Sequence, residues 1–364
     1  HAVWAGLEHA RSNHCVFPRS GFRTPSQYRT FLRLTAHEYL HLYNVKRIHP
    51  KAFDPFDYTR ETYTRLLWAM EGTTDYLAWL VLIRAGLTSP ERALTDLAEK
   101  VRRYRATPGR LRQSLEDASV AAWVDFYHGD EETPNRSISY YLKGDLVSLC
   151  LDLELRAQTQ AAGSIESVWR ELWTSYGKTN RGLEEDELPG VIERVTGVHV
   201  DEFFRDYIAG TKEVDFERYF GLAGLALRPR SGPRRPDDDP EPGYLGVETE
   251  NANGFVRVTS VRDGSPGRRA GLSPLDEIVA VDGSRISFDD WTKVLGRYPP
   301  GSPLELTVFR RGRLRSVPAV AGESPPKELS ILPEKEASPA VRSVHEAWLG
   351  AAWAPPKPPT ADGN

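Results

Sequence analysis

With 364 residues and 40% apolar content, the chain is long enough for two or three domains and a sizeable core, so a lone peptide-binding module does not account for it. Lysine and arginine total 47 against 51 aspartates and glutamates, a net charge of −4 with no block of one sign, which excludes nucleic acid and anionic membrane as charge-driven partners. The longest uninterrupted apolar run, Tyr76 to Ile83, is too short to span a bilayer, and two cysteines, Cys15 and Cys150, supply neither a disulfide framework nor a thiolate zinc cluster.

Thr24-Pro25-Ser26-Gln27 has the form of a capping box with proline at the first helical position, and it opens a helix through Phe31, Leu34 and Leu40 expected to end near Asn44. Further helices are expected over about 69–85, stopped by Gly86, from Ser89-Pro90-Glu91, and along Leu146, Leu149, Cys150 and Leu153, whose spacing is that of one helical face. Ile165 to Tyr176 and Val200 to Ile208 add two more. Residues 1–227 therefore read as a mainly α domain.

Residues 228–242 hold five prolines, four arginines and four acidic residues, a composition that buries no core and reads as a linker. Over 243–322 the period shortens to strands: Val256-Arg257-Val258, then Ile278 to Val281 before the turn Asp282-Gly283, then Leu304, Leu306 and Val308 in alternation. Residues 323–364 carry eight prolines, and only Ser338 to Gly350 reads as helix, so a docked helix followed by a disordered tail is expected. The fold class is α+β and multidomain.

His37-Glu38-Tyr39-Leu40-His41 is an H-E-x-x-H motif on the first long helix. Two histidines four residues apart sit ~6 Å apart along a helix and ~40° around it, so both imidazoles reach one cation, with Glu38 beside the open position. Composition alone produces such a motif only about 0.03 times in a chain like this. A catalytic zinc needs a third protein ligand and one place for water. Asn44 and Arg47 stand where one class of zinc peptidases has glycine and histidine, and Arg60 stands at the short gluzincin spacing, so the carboxylate comes from elsewhere. Glu71, opening a helix and followed by Gly72, is preferred over Glu61 in its polar segment. Asp75, one turn later, is either a hydrogen-bond acceptor for a ligating histidine or a solvated helix carboxylate.

Five blocks in order resemble the glycyl aminopeptidases, gluzincin (thermolysin-like) zinc peptidases with a C-terminal PDZ domain: Gly6-Leu7-Glu8-His9, His37 to Ile48, Glu71 to Tyr76, Ser139 to Gly144, and Tyr244-Leu245-Gly246-Val247. The resemblance implies one Zn2+ on His37, His41 and Glu71, with Glu38 as general base. It implies Tyr141, with Tyr140 as the fallback, as the hydroxyl that binds the developing oxyanion, and Glu8 as the carboxylate that receives a substrate's free α-amine. Family members carry a β-rich domain ahead of the Gly-Leu-Glu-His block, so it also implies a chain incomplete at its amino end.

Tyr244-Leu245-Gly246-Val247 further resembles the PDZ loop that receives a C-terminal carboxylate, with Trp291, Val294 and Leu295 on the helix flanking the groove. The expected activity is removal of N-terminal glycine or alanine from peptides with a free N-terminus, a C-terminal peptide being the expected PDZ ligand. The alternatives are a zinc endopeptidase with the same ligands and an inactive PDZ-bearing peptide-binding protein. The compartment is left open, bacterial periplasm or secretion being preferred to the cytoplasm.

Overall fold

A computed structural model describes residues 4–230 and 243–356; most of the expected linker, 231–242, and the end of the expected tail, 357–364, lie outside the described residues. A short antiparallel hairpin, β1 (Ala5–Glu8) and β2 (Asn13–Val16), lies against helix α1 (Pro25–Leu40). The capping box is formed: the Gln27 amide donates to Thr24 Oγ1 and the Thr24 amide to Gln27 Oε1, both at 3.2 Å. Such a cap stabilises a helix start by about 1 kcal/mol.

Helix α1 ends at Leu40, four residues before the expected Asn44, so the motif occupies its last turn and His41 caps it. The reason lies in Asn44, which is 2% exposed. Its amide nitrogen donates to Ala69 O and Thr74 Oγ1, each at 2.9 Å, while its own carbonyl faces His41 Nδ1 at 2.7 Å. These bonds draw the chain out of the helix and tie the turn to the next segment.

That segment is a π-helical turn, Trp68–Gly72, running into α2 (Thr73–Arg84), and Gly86 at φ +69° closes it. Helix α3 (Pro90–Arg105) is capped by Ser89, and α4 (Tyr140–Gln158) runs through the core with Leu146, Leu149, Cys150 and Leu153 fully buried. Gly72 and Gly144 let the π-turn and α4 touch, since a Cβ on Gly72 would come within 2.6 Å of the Gly144 backbone. Ile165–Leu172 and Trp173–Gly177, then Asp201–Phe203 and Phe204–Ile208, are helical turns on the far side of this core. This half ends in strand β3 (Leu225–Pro229).

Residues 243–322 form one antiparallel sheet in the order β4 (Val247–Ala252), β5 (Phe255–Val261), β6 (Glu277–Val281), β7 (Pro303–Arg310), β8 (Arg313–Val320). The two-residue strand Ser284–Arg285 pairs with β6, and short helices α5 (Pro266–Ala270) and α6 (Trp291–Leu295) complete this part. Val256, Val258, Ile278, Leu306 and Val308 build a separate core, as their alternation predicts. The chain then returns to the first half. Strand β9 (Leu329–Pro333), which the prolines of this stretch hid, pairs antiparallel with β3, and helix α7 (Pro339–Leu349) seats Trp348 in the helical core with its indole N–H donating to the Tyr76 hydroxyl. Among the described residues no helix is long and apolar enough to cross a membrane.

Candidate metal centre

The buried face of α1 carries Leu34, His37 and Glu38, and His41 follows at the cap, the i, i+3, i+4, i+7 row that faces the core. Glu71 comes to meet it from the π-helical turn, a device that re-aims a side chain without breaking the helix. One Glu71 oxygen, Oε2, lies 3.2 Å from the Nε2 of both His37 and His41. Glu61, the other carboxylate weighed from the sequence, is not in this cluster.

The far nitrogens of both rings are engaged. His37 Nδ1 lies 3.0 Å from Asp75 Oδ1, and His41 Nδ1 donates to the Asn44 carbonyl at 2.7 Å. With Nδ1 carrying the proton, a neutral imidazole turns the lone pair of Nε2 inward. Tetrahedral zinc with bonds of 2.0–2.1 Å separates its ligands by about 3.3 Å, so the spacing and chemistry of these donors fit zinc.

Burial alone would lower His37, yet its hydrogen bonds to Asp75 and Glu71 hold it up to about 10. Burial would raise Glu71, yet the two imidazoles bring it down to about 2.

Glu38 is 5% exposed and its Oε2 has no hydrogen-bond partner, an orphaned buried oxygen beside the cluster. Burial pushes its carboxyl up, with His37 and His41 opposing. Strand β1 presses against it: a Cβ on Gly6 would stand 1.9 Å from Glu38 Oε1, so a side chain there would displace the carboxylate. The same strand brings Glu8 close, with ligand atoms of Glu8, Glu38 and His41 within 4.8 Å of one another. Glu8 is not free, because Lys46 Nζ pairs with its Oε1 at 3.0 Å. Beside this pair opens a cavity of about 540 Å³ walled by His49, Phe53, Phe56 and Tyr58.

Tyr141 lies with its ring centroid 6.2 Å from that of His37, and Tyr140 packs on it at 4.8 Å. Tyr140 is 2% exposed. Burial pushes both phenols up, so both stay hydrogen-bond donors. Sequence reasoning missed Lys46, Asn44 and Arg33, whose guanidinium reaches Asp75. Arg33 stands four residues before His37 on the same helix face, and that spacing was the available signal.

In the second half, β4 is the edge of its sheet. Tyr244 is fixed by two backbone hydrogen bonds with Gly322, Leu245 is buried, and Gly246 adopts φ +69° while its carbonyl accepts from the Arg262 amide at 2.9 Å. A loop held this way beside an open strand edge has the form needed to receive an extended peptide.

Comparison with known proteins agrees with the resemblance read from the sequence. Residues 30–147 match the model of the M61 glycyl aminopeptidases, and residues 243–319 that of the PDZ domain. A solved aminopeptidase N family protein from Idiomarina loihiensis superposes with a TM-score of 0.83 at 27% identity, over 95% of this chain and 60% of that one. A carboxy-terminal-processing protease from Bartonella bacilliformis is 35% identical over 72 residues, 19% of this chain and 17% of its own. The chain thus spans less than two thirds of the length of these relatives.

Proposed function

From these matches to the M61 glycyl aminopeptidases and to PDZ domains, we propose that the chain is a zinc-dependent aminopeptidase removing small N-terminal residues, glycine or alanine, from peptides. The observation that carries this reading is the Glu71 oxygen 3.2 Å from both imidazoles, with the orphaned Glu38 carboxylate alongside. His37, His41 and Glu71 would hold one Zn2+, which when bound supplies a Lewis acid and acidifies a coordinated water. Glu38 takes the water's proton and delivers it to the leaving amine, the task its buried, unpartnered oxygen suits. Tyr141 donates its hydroxyl to the scissile carbonyl oxygen as charge develops there. Glu8 receives the α-ammonium and so selects a free N-terminus. The PDZ domain binds the C-terminal end of peptides and orients them. The preference for glycine or alanine follows the family likeness.

A zinc endopeptidase using the same ligands is the second reading, favoured by the Lys46 contact that already occupies Glu8. Free-amine and N-blocked dipeptide anilides, assayed with and without chelator, separate these. The first reading expects hydrolysis of the free-amine set only, abolished by chelator and reduced by at least ~10²-fold in Glu38→Gln. Equal cleavage of blocked substrates would favour the second, and turnover that survives complete metal removal would refute both.

A further inference from the structure

We propose that Arg33 is a positioning residue for the metal centre, closing a four-charge cluster that keeps the Asp75 carboxylate aimed at His37. The proposal rests on the zinc reading above. Each of the four helices around the site contributes one charge: Arg33 from α1, Asp75 from α2, Lys100 from α3 and Asp145 from α4.

The chain of contacts is continuous. Asp75 places Oδ1 3.0 Å from His37 Nδ1, and its Oδ2 accepts from Arg33 Nη2 at 2.8 Å. The same Nη2 lies 3.7 Å from Asp145 Oδ2, which accepts in turn from Lys100 Nζ. Asp145 is 2% exposed and Lys100 5%, so this pair is sealed off, while Arg33 keeps one side open to solvent. Two carboxylates and two cations sum to zero, the condition under which charges are tolerated away from water.

The geometry gives Arg33 a task that the other three cannot perform. It alone touches both carboxylates, and it fixes the oxygen of Asp75 that His37 does not use. Without it the Asp75 carboxylate is anchored on one side only and faces Asp145 with a single ammonium to offset two negative charges. The carboxylate is then free to rotate away from Nδ1, and the imidazole loses the contact that sets its orientation and its basicity toward a metal. Partners of this kind are worth about 10–100-fold in metal affinity.

The test is a Zn2+ titration of the metal-free full chain against a chromophoric chelator, in wild-type and Asp75→Asn backgrounds. Each variant is first checked for wild-type near-ultraviolet circular dichroism, with Arg33→Gln replacing Arg33→Met if the latter does not fold. Arg33→Met is expected to weaken zinc binding about tenfold or more in the wild-type background and by less than about twofold in Asp75→Asn, and Arg33→Lys to recover most of the affinity. Zinc affinity within twofold of wild type in Arg33→Met, or the same loss in both backgrounds, would overturn the positioning role while leaving the metallopeptidase reading intact. A wild-type chain that binds no zinc would instead sink that reading and this proposal with it.

Discussion

Glu8 and Lys46 form a 3.0 Å ion pair whose side chains are only 22% and 12% exposed, at the point where the proposed aminopeptidase would receive a substrate's ammonium. A carboxylate already holding one cation presents a single free oxygen to a second, so Lys46 and the α-amine compete for Glu8. Lys46 has somewhere else to rest, its Nζ lying 5.3 Å from the centroid of the Phe56 ring. Two opposite effects follow on steady-state kinetics with a free-amine dipeptide anilide. Glu8→Gln removes a charge-assisted bond worth about 1.5–3 kcal/mol and should lower kcat/KM by roughly 10–100-fold. Lys46→Met frees the carboxylate and should lower KM several-fold with kcat little changed. Were KM to rise in Lys46→Met instead, the lysine would be holding Glu8 in place for the amine rather than competing with it.

At the scale of single elements, what the chain discloses depends on whether a feature is local. The capping box of α1, the H-E-x-x-H spacing and the alternating strands of the second half follow from neighbouring residues, and the structure has them where the sequence places them. The early end of α1 does not, because Asn44 is drawn out by Ala69 and Thr74, some 25 and 30 positions away. The π-helical turn under Glu71 is likewise set by the Gly72 contact with Gly144 on α4, invisible to local periodicity. Helix α7 shows both sides. Its Ser338 cap and the left-handed Gly350 were legible, but its seat against the first half rests on Trp348 and on His345, whose Nδ1 lies 3.1 Å from the Ala223 carbonyl. His345 is 6% exposed, and burial lowers its pKa from 6.5 against the pull of that carbonyl. The unfolded chain therefore takes up a proton as pH falls through 6.5 while the folded chain resists it, so this residue costs stability on the acid side. Thermal unfolding followed from pH 7.5 to 5 should show the midpoint falling more steeply for wild type than for His345→Leu. Parallel curves would mean that His345 stays neutral, or charges equally, in both states.

Across the whole molecule, the two halves are joined by more than covalent chain. Asn135, 5% exposed on the short helix Thr133–Arg136, spans the joint with its side-chain amide: Nδ2 donates to Val261 O at 2.8 Å and Oδ1 accepts from the Asp263 amide at 2.9 Å. Beside it Glu132 takes both terminal nitrogens of Arg268, at 3.0 and 3.1 Å, and Arg112 pairs with Asp263 at 2.6 Å. The Tyr244–Val247 loop, proposed to receive peptide, is one bond away, since Arg262, between the two residues held by Asn135, donates its amide to Gly246. None of these contacts can be read from the sequence, because a docking surface has no periodicity of its own. Substituting Asn135 by alanine strands a buried carbonyl at the end of β5, a cost of about 1–3 kcal/mol that falls on the joint rather than on either core. Amide hydrogen exchange should then accelerate at Asp263 while the central strands β5 to β7 stay protected, and the unfolding of the second half should separate from that of the first. If the exchange of Asp263 were unchanged in Asn135→Ala, the ion pairs of Glu132 and Arg112 would be sufficient to hold the halves together, and the orientation of the peptide groove toward the metal centre would not depend on this amide.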